Sequence, residues 1–245
     1  MIFVRARSHN RAPVQTVSIV LTSQETLARS LSEGMDELLR KEADPEQVRQ
    51  LLSYLELLVQ WNASYNLTAV RDPLEMVSRH LLDSLSVLPW VHGEHLLDAG
   101  TGAGLPGIPL AITQPELTVT LLDSTGKKIR FLGHVKRRLI LENIQPVQSR
   151  LESWQAEEMP TCIISRAFSK LTAFVEASRH LAARDTMLLA MKGKYPETEL
   201  DALPDWIQVH SVEKLHVPGL QEDRHLVIMS VKSFNPHIAR RRTNN

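Results

Sequence analysis

The feature that most restricts the fold of this chain is a change in the spacing of its apolar residues at about Pro89. Before it, from residue 24 onward, apolar residues recur every three or four positions, which is typical of amphipathic helices. After it, short apolar runs alternate with helical segments and end in two strand-like runs at residues 207–217 and 225–231. This order predicts βαβ units on a mostly parallel sheet that finishes in an antiparallel hairpin. We therefore predict an α/β fold with an N-terminal helical cap.

The same pattern divides the chain into segments. We predict an extension, expected to be disordered, a helical cap, an α/β domain and a basic tail, at residues 1–23, 24–90, 91–233 and 234–245. The extension has no acidic residue, and it is compatible with a native tail, a targeting segment or an upstream start codon. The tail contains Arg240, Arg241 and Arg242, for which phosphate binding and an unstructured end are both open interpretations.

Composition excludes several classes of protein. A single cysteine forms neither an internal disulfide nor an all-cysteine zinc site, and the ten histidines show no metal-ligand spacing. The apolar runs are too short to span a membrane. Basic and acidic residues balance at 28 each, so binding to a polyanion requires a local basic surface. We expect a soluble, cytoplasmic, monomeric protein with no metal ion.

A glycine-rich turn follows the first predicted strand, at residues 98–107. Its first three glycines lie at every second position: Gly100, Gly102 and Gly104. Glycine lets the backbone approach a ligand closely, at the carboxyl end of the strands. The next strand ends at Asp123, where a carboxylate suits the two hydroxyls of a ribose. The pattern favours a cofactor that contains adenosine.

The details of this turn discriminate between cofactors. Leu105 stands where the dinucleotide fingerprint has its third glycine, and Lys128 stands where a phosphate-binding Walker A loop has Ser or Thr. An Asp-x-Gly-x-Gly-x-Gly run with an acid after the second strand is instead typical of class I methyltransferases. We therefore predict a Rossmann-like class I fold that binds S-adenosylmethionine.

Residues 100–109 resemble the ribosomal RNA small subunit methyltransferase G family, also called glucose-inhibited division protein B. Further blocks agree in the family's order between about residues 28 and 231. They are Trp61–Asn62, Tyr65–Thr68, Arg71–Pro73, Arg79–His80, Asp83–Ser84, Leu122–Ser124, Lys127–Lys128, Ser165–Phe168, Met191–Gly193, Glu222 and Arg224–Leu226. Two departures are the N-terminal extension and Ala103, where many members have proline.

The resemblance implies transfer of a methyl group from S-adenosylmethionine to N7 of one guanine in 16S ribosomal RNA, either naked or in the small subunit. It also implies cofactor contacts at Gly100, Leu105, Leu151, Glu152 and Arg166. Arg166 is the one candidate catalytic residue, beside the cofactor or the RNA. Guanine N7 carries a lone pair and no proton, so alignment of the reactants replaces a general base.

Candidate RNA-binding residues fall into two groups. A predicted helix after Asp123 carries six basic residues, of which Lys127, Lys128 and Arg130 come first. Lys192 and Lys194 follow a later strand, at the carboxyl edge of the sheet. Either group suits phosphates, although a solvated basic face explains the helix equally well.

Two other functions fit parts of the sequence. A nucleotide-dependent oxidoreductase would use the same glycine-rich turn, and a non-catalytic RNA-binding assembly factor would use the same fold. Cys162 lies inside an apolar strand, so we interpret it as a buried structural thiol and not as a nucleophile.

Overall fold

The computed structural model describes residues 14–166 and 168–232, with side chains from residue 23 onward. The first 13 residues of the predicted extension and the tail with Arg240, Arg241 and Arg242 lie outside the described residues. Ala167, in one of the blocks that carry the family resemblance, also lies outside them.

The N-terminal part is helical, which confirms the predicted cap. Two long helices come first, followed by a broken one and a 3₁₀ turn: α1 (Val14–Leu39), α2 (Pro45–Tyr65), α3 (Pro73–Met76), a π-helical segment (Val77–Leu82), α4 (Asp83–Leu85) and the turn Leu88–Trp90. Asp44 and Asp72 each accept a hydrogen bond from a backbone N–H at the start of α2 and α3, and a proline follows each of them.

The predicted start of the first helix, at Gln24, was wrong. Helix α1 begins at Val14, so ten residues assigned to a disordered extension are helical. Thr16, Val17, Ile19 and Val20 are β-branched, and such residues lower intrinsic helix propensity. The sequence pattern therefore did not indicate a helix there.

Seven strands form one sheet in the order β3-β2-β1-β4-β5-β7-β6. The strands are β1 (His95–Ala99), β2 (Thr118–Asp123), β3 (Ile144–Gln148), β4 (Cys162–Ser165), β5 (Met187–Lys192), β6 (Ile207–Leu215) and β7 (Arg224–Val231). Strands β1 to β5 are mutually parallel, and β7 runs antiparallel to both β5 and β6. The predicted mixed sheet and its terminal hairpin are confirmed.

Helices cover both faces of the sheet. They are α5 (Gly107–Thr113), α6 (Gly126–Leu139), α7 (Leu171–Ser178) and the short α8 (Glu197–Asp201), with a 3₁₀ turn at Leu151–Ser153. The cap packs with α5 and α6 into one apolar core, and α7 belongs to a second core. The strand order reverses at β1, because β2 and β3 lie on one side of it and β4 lies on the other. Ligands are therefore expected beyond the carboxyl ends of β1 and β4.

The cap contacts the loop after β1 through Tyr54 of α2. This side chain is fully buried, and its Oη donates a hydrogen bond of 2.8 Å to the carbonyl oxygen of Ala103. Burial raises the pKa of the Tyr54 phenol, so the group stays protonated and remains a donor. One hydrogen bond therefore ties the cap to the glycine-rich loop.

We predict that Tyr54→Phe lowers the free energy of unfolding by about 1–3 kcal/mol, because the buried carbonyl of Ala103 loses its donor. Urea denaturation measures this loss. The matched control is Tyr65→Phe, whose side chain is exposed and whose substitution should change stability by less than about 0.5 kcal/mol. Equal stability of the Tyr54 variant and the wild type would show that this hydrogen bond does not hold the loop.

Candidate active site

The glycine-rich loop leaves β1 in a conformation that favours glycine. Gly100, Gly102 and Gly104 have φ values of 74°, 63° and 96°. The N–H groups of Gly100 and Thr101 both donate to the carbonyl oxygen of Leu122, at 2.9 and 3.0 Å. The loop is therefore anchored to the end of β2 and lies at the carboxyl edge of the sheet.

Asp98 of β1 holds the two ends of this loop together. Its Oδ2 accepts hydrogen bonds from Thr101 Oγ1 at 2.6 Å and from the N–H of Gly107 at 2.8 Å. Its Oδ1 is buried and has no hydrogen-bond partner among the described residues. Burial raises the pKa of Asp98 from 3.8 to about 6, although the bonds from Thr101 and Gly107 act in the opposite direction. Because a buried acceptor is stabilised by a hydrogen bond, this oxygen suits a donor from outside the chain.

The glycines serve different purposes. A Cβ atom at Gly104 would lie 2.5 Å from Ile108 Cδ1 and 2.9 Å from Leu132 Cδ2, so this glycine permits core packing. A Cβ at Gly102 would have no neighbour closer than 3.9 Å, the carbonyl oxygen of Gly100. The space beside Gly102 is therefore open, and a ligand would fit there without a clash.

Asp123 ends β2 beside this open space. It accepts from the N–H of Thr125 at 2.9 Å, from the N–H of Gly102 at 3.1 Å and from Lys128 Nζ at 3.0 Å. Burial alone would raise the pKa of Asp123, but the Thr125 amide and Lys128 outweigh it and hold the pKa below the usual value. The carboxylate is therefore ionised and close to the loop.

The other predicted cofactor contacts lie at the same edge of the sheet. Leu105 is buried in the loop, and Leu151 is buried at the start of the 3₁₀ turn that follows β3. Glu152 is exposed in that turn. These positions accommodate the predicted roles, which remain predictions.

Arg166 follows β4 and forms an ion pair with the cap. Its Nη1 lies 3.2 Å from Asp83 Oδ2 and donates a second bond of 3.3 Å to the carbonyl oxygen of Arg79. Asp83 Oδ1 accepts from Arg224 Nε at 3.0 Å. The buried carboxylate of Asp83 thus lies between two arginines from β7 and from the end of β4.

A cavity of about 360 Å³ lies beside this group. Its lining includes Arg79, His80, Lys192 and Gly193 together with the Asp83 group. Burial, assisted by the positive charge of Arg166, lowers the pKa of His80 to about 4, so its ring is neutral at pH 7. The cavity is therefore cationic, with its charge carried by arginine and lysine.

The predicted RNA-binding lysines are mostly engaged within the chain. Lys127 Nζ donates to the carbonyl oxygen of Tyr65 at 2.9 Å, and Lys128 pairs with Asp123. Lys192 forms an ion pair of 2.8 Å with Glu199. Arg130 and Lys194 are exposed, and neither has a hydrogen bond or ion pair with another described residue. Of the five predicted cations, these two are the ones placed as freely accessible.

Sequence reasoning missed four residues of this region. Asp98, Asp83 and Arg224 stood in the quoted motifs without a role, and Tyr54 was not singled out. The run Arg79–His80–x–x–Asp83 was the available signal for the ion-pair group, because it places a cation and an anion on one helical turn. Nothing in the local pattern indicated their partners from the sheet.

Other features of the described residues have simpler explanations. Cys162 is fully buried in β4, and burial raises the pKa of its thiol to about 12, which confirms a structural thiol. No three His, Cys, Asp or Glu side chains within the described ranges come together as metal ligands. No helix in the described part is both long and apolar enough to cross a membrane.

Comparisons with known proteins agree on one family. The family model for rRNA small subunit methyltransferase G matches residues 47–227. The ribosomal RNA small subunit methyltransferase G of Pseudomonas aeruginosa strain LESB58 is 53% identical over 203 residues, which cover 82% of this chain and 94% of the relative. The protein of the same name from Escherichia coli strain SMS-3-5 / SECEC is 51% identical over 188 residues, covering 77% and 91%.

One solved structure supports the fold. A SAM-dependent methyltransferase from Aquifex aeolicus superposes with a TM-score of 0.50 at 20% sequence identity, covering 65% of this chain and 94% of that chain. Together with the strand order, this likeness confirms the predicted Rossmann-like class I methyltransferase fold.

The raised pKa of Asp98 predicts a pH dependence of stability. Because the folded state binds this proton more tightly than the unfolded state, the contribution of Asp98 to stability falls as the pH rises from about 4 to about 6. The loss is at most roughly 3 kcal/mol. Asp98→Asn does not titrate, so its stability relative to the wild type should increase over this window in urea denaturation.

Asp123→Asn is the matched control with the opposite sign. The pKa of Asp123 is lowered on folding, so its stabilising contribution is present at neutral pH and is lost as the pH falls below about 4. The stability of this variant relative to the wild type should therefore be lowest at neutral pH. A pH-independent difference for Asp98→Asn would contradict the assignment of a buried carboxyl group with a raised pKa.

Proposed function

The chain belongs to the rRNA small subunit methyltransferase G family, and on that basis we propose that it transfers a methyl group from S-adenosylmethionine to N7 of one guanine in 16S ribosomal RNA. The observation that carries this proposal is the combination of a buried, unpaired Asp98 oxygen with open space beside Gly102. Both lie at the carboxyl edge of a class I methyltransferase sheet, where a ligand binds.

The residues present fit this cofactor. The backbone of Gly100, Gly102, Gly104 and Leu105 provides a surface with little side-chain bulk. Asp98 Oδ1 needs a donor, and the ammonium group of the methionine part has the correct charge. A second set would hold the adenosine part: Asp123 would accept from the ribose hydroxyls, Leu151 would flank the adenine ring, and Glu152 would lie near its amino group.

The bound cofactor supplies an electrophilic methyl group on a sulfonium. The chain itself has little proton transfer to perform, because guanine N7 attacks through a lone pair that carries no proton. Its residues instead orient the base and exclude water, so that proximity and alignment supply most of the rate enhancement. Attack by N7 releases no proton, so the neutral ring of His80 in the cavity has no proton to accept in this step.

We assign Arg166 to the boundary between cofactor and RNA. Asp83 fixes one of its amino groups, and the opposite charge keeps the guanidinium close to the cap. The remaining donors of Arg166 are available to the methionine carboxylate or to the RNA. The proposed RNA-binding residues are Lys127, Lys128, Arg130, Lys192 and Lys194, acting on 16S RNA or the small subunit, and we propose a cytoplasmic monomer.

The proposal is tested by mapping 7-methylguanosine in small-subunit RNA from cells with and without this protein. One modified guanine should disappear in its absence and return when the wild-type chain is restored. Gly102→Ala should bind S-adenosylmethionine at least tenfold more weakly in calorimetry and fail to restore the modification, because its Cβ fills the open cradle.

The control for Gly102→Ala is Gly219→Ala, in the loop between β6 and β7. Gly219 also has a positive φ, 73°, and a Cβ there would meet Ser78 Cβ at an ordinary 3.5 Å. This variant carries similar backbone strain away from the glycine-rich loop and should retain cofactor binding. An unchanged methylation map without the protein would overturn the proposal and favour a non-catalytic assembly factor.

The basic helix α6 generates a separate prediction. Arg130, Arg137 and Arg138 are its exposed cations and share one side of the helix, whereas Lys127 and Lys128 are engaged. Replacing these three arginines by glutamine should weaken RNA binding and reduce the slope of log K against log salt by roughly 0.7–0.9 for each phosphate that is no longer neutralised. Affinity for S-adenosylmethionine should stay constant, because the Asp123–Lys128 pair is intact.

The control for the α6 variant is Arg184→Gln, an exposed residue before β5, which is three strands away from β2 in the sheet order. Its RNA affinity should match the wild type. An unchanged salt slope in the α6 variant would mean that this face of the helix is only solvated.

A further inference from the structure

The cavity beside Asp83 is lined by more cationic side chains than carboxylates. Arg79, Arg166, Lys192 and Arg224 line it, against one carboxylate, that of Asp83. Glu75 and Glu222 pair with Arg79, and Glu199 pairs with Lys192, but none of these three carboxylates is part of the lining. The surface that faces the cavity is therefore cationic and suits an anion.

Asp83 organises the arginines in this cavity. Its side chain is 2% exposed, and its two oxygens bond to different guanidinium groups, Arg166 through Nη1 and Arg224 through Nε. Two arginines that line one cavity would repel each other without a carboxylate between them. Asp83 is thus a positioning residue that brings together a strand end, the hairpin and the cap.

The arginines keep hydrogen-bond donors for a ligand. Among the described residues, no partner is found for Nη2 of Arg166, Nη2 of Arg224 or Nη1 of Arg79. None of these atoms is among the fully buried unpaired groups of the described residues, so each retains some exposed surface. Guanidinium groups with free amino donors bind phosphate oxygens with directional, charge-assisted bonds.

The position of Arg224 separates it from the proposed cofactor site. In the sheet order, β4 and β5 lie between β1 and β7, which places β7 three strand spacings, or about 14 Å, from the strand that carries the glycine-rich loop. Arg224 is the first residue of β7, and because β7 runs antiparallel to β5 it lies at the same carboxyl edge. It therefore lies on the far side of Arg166 from the glycine-rich loop.

We propose that this cavity binds a phosphodiester of the RNA strand next to the target guanine, with Arg224 and Arg79 as the phosphate-binding residues and Asp83 as their positioning residue. Contacts to the phosphate set the register of the strand and carry no sequence information, so they place the base without selecting it. The inference rests on the proposed function, since it assigns a binding site to the RNA backbone next to the guanine that would be methylated.

The test uses the full-length protein and small ribosomal subunits from cells that lack it. RNA affinity is measured at several salt concentrations for the wild type, Arg224→Gln, Arg224→Lys and the charge-matched control Arg184→Gln. Arg224→Gln should bind at least tenfold more weakly at low salt, with a slope of log K against log salt reduced by roughly 0.7–0.9. Arg224→Lys should keep the slope but bind with intermediate affinity, because it retains the charge and loses the guanidinium geometry.

Two further measurements distinguish the other interpretations. Calorimetric affinity for S-adenosylmethionine should stay within twofold in Arg224→Gln, and a larger decrease would assign Arg224 to the cofactor and overturn the inference. A folded Arg224→Gln protein with lower thermal stability but wild-type RNA affinity and salt slope would show a purely structural ion pair, which also overturns it.

Failure of this inference is distinguishable from failure of the proposed function. If the wild type binds subunits but transfers no methyl group, the proposed function fails, whatever Arg224 does. If the wild type methylates the RNA and Arg224→Gln keeps its RNA affinity, only the inference fails. Asp83→Asn provides a second test, since freeing both arginines should weaken RNA binding while Asp83→Glu partly restores it.

Discussion

The buried carboxylate of Asp98 is stabilised by hydrogen bonds from both ends of the loop that follows β1. One oxygen holds Thr101 and the first amide of α5, so the loop closes on itself and α5 begins directly beneath it. The cost of this arrangement is a buried acid with a raised pKa and an oxygen without a partner among the described residues. The closure of the loop and the start of α5 depend on Asp98, while Leu122, Asp123 and Tyr54 hold the rest of the loop.

The cap and the sheet meet at the site in two ways. Tyr54 donates to the loop from one side, and Asp83 holds Arg166 and Arg224 from the other. Neither contact is a broad apolar interface; each is a directional bond from a buried side chain. The cap is therefore part of the site, although the sequence pattern suggested only a helical appendage.

The parts of the molecule that follow from local pattern were predictable. Apolar spacing located the strands, and alternating glycines before an acid located the loop and Asp123, because these signals act over a few residues. The partners of Asp83 lie 83 and 141 residues away along the chain, so no local pattern reports them. Lys128 is a second example. The sequence indicated a cation available to RNA, whereas in the structure its side chain forms an ion pair with Asp123. The start of α1 was missed because several residues before Gln24 are β-branched and have low intrinsic helix propensity, although the segment is helical.

The π-helical segment Val77–Leu82 determines which residues of the cap face the cavity. Within it the N–H of Asp83 bonds to the carbonyl of Ser78, five residues earlier, so this helix contains one residue more than a regular turn. Each residue of a regular helix advances the side chains by about 100°. Deleting one residue from the segment would restore regular α-helical bonds while the residues on either side, Asp83 included, keep their orientation, because a π turn is an α turn with one residue added. The added residue therefore changes the spacing within the segment itself, which carries Arg79 and His80 to the cavity that Asp83 also lines.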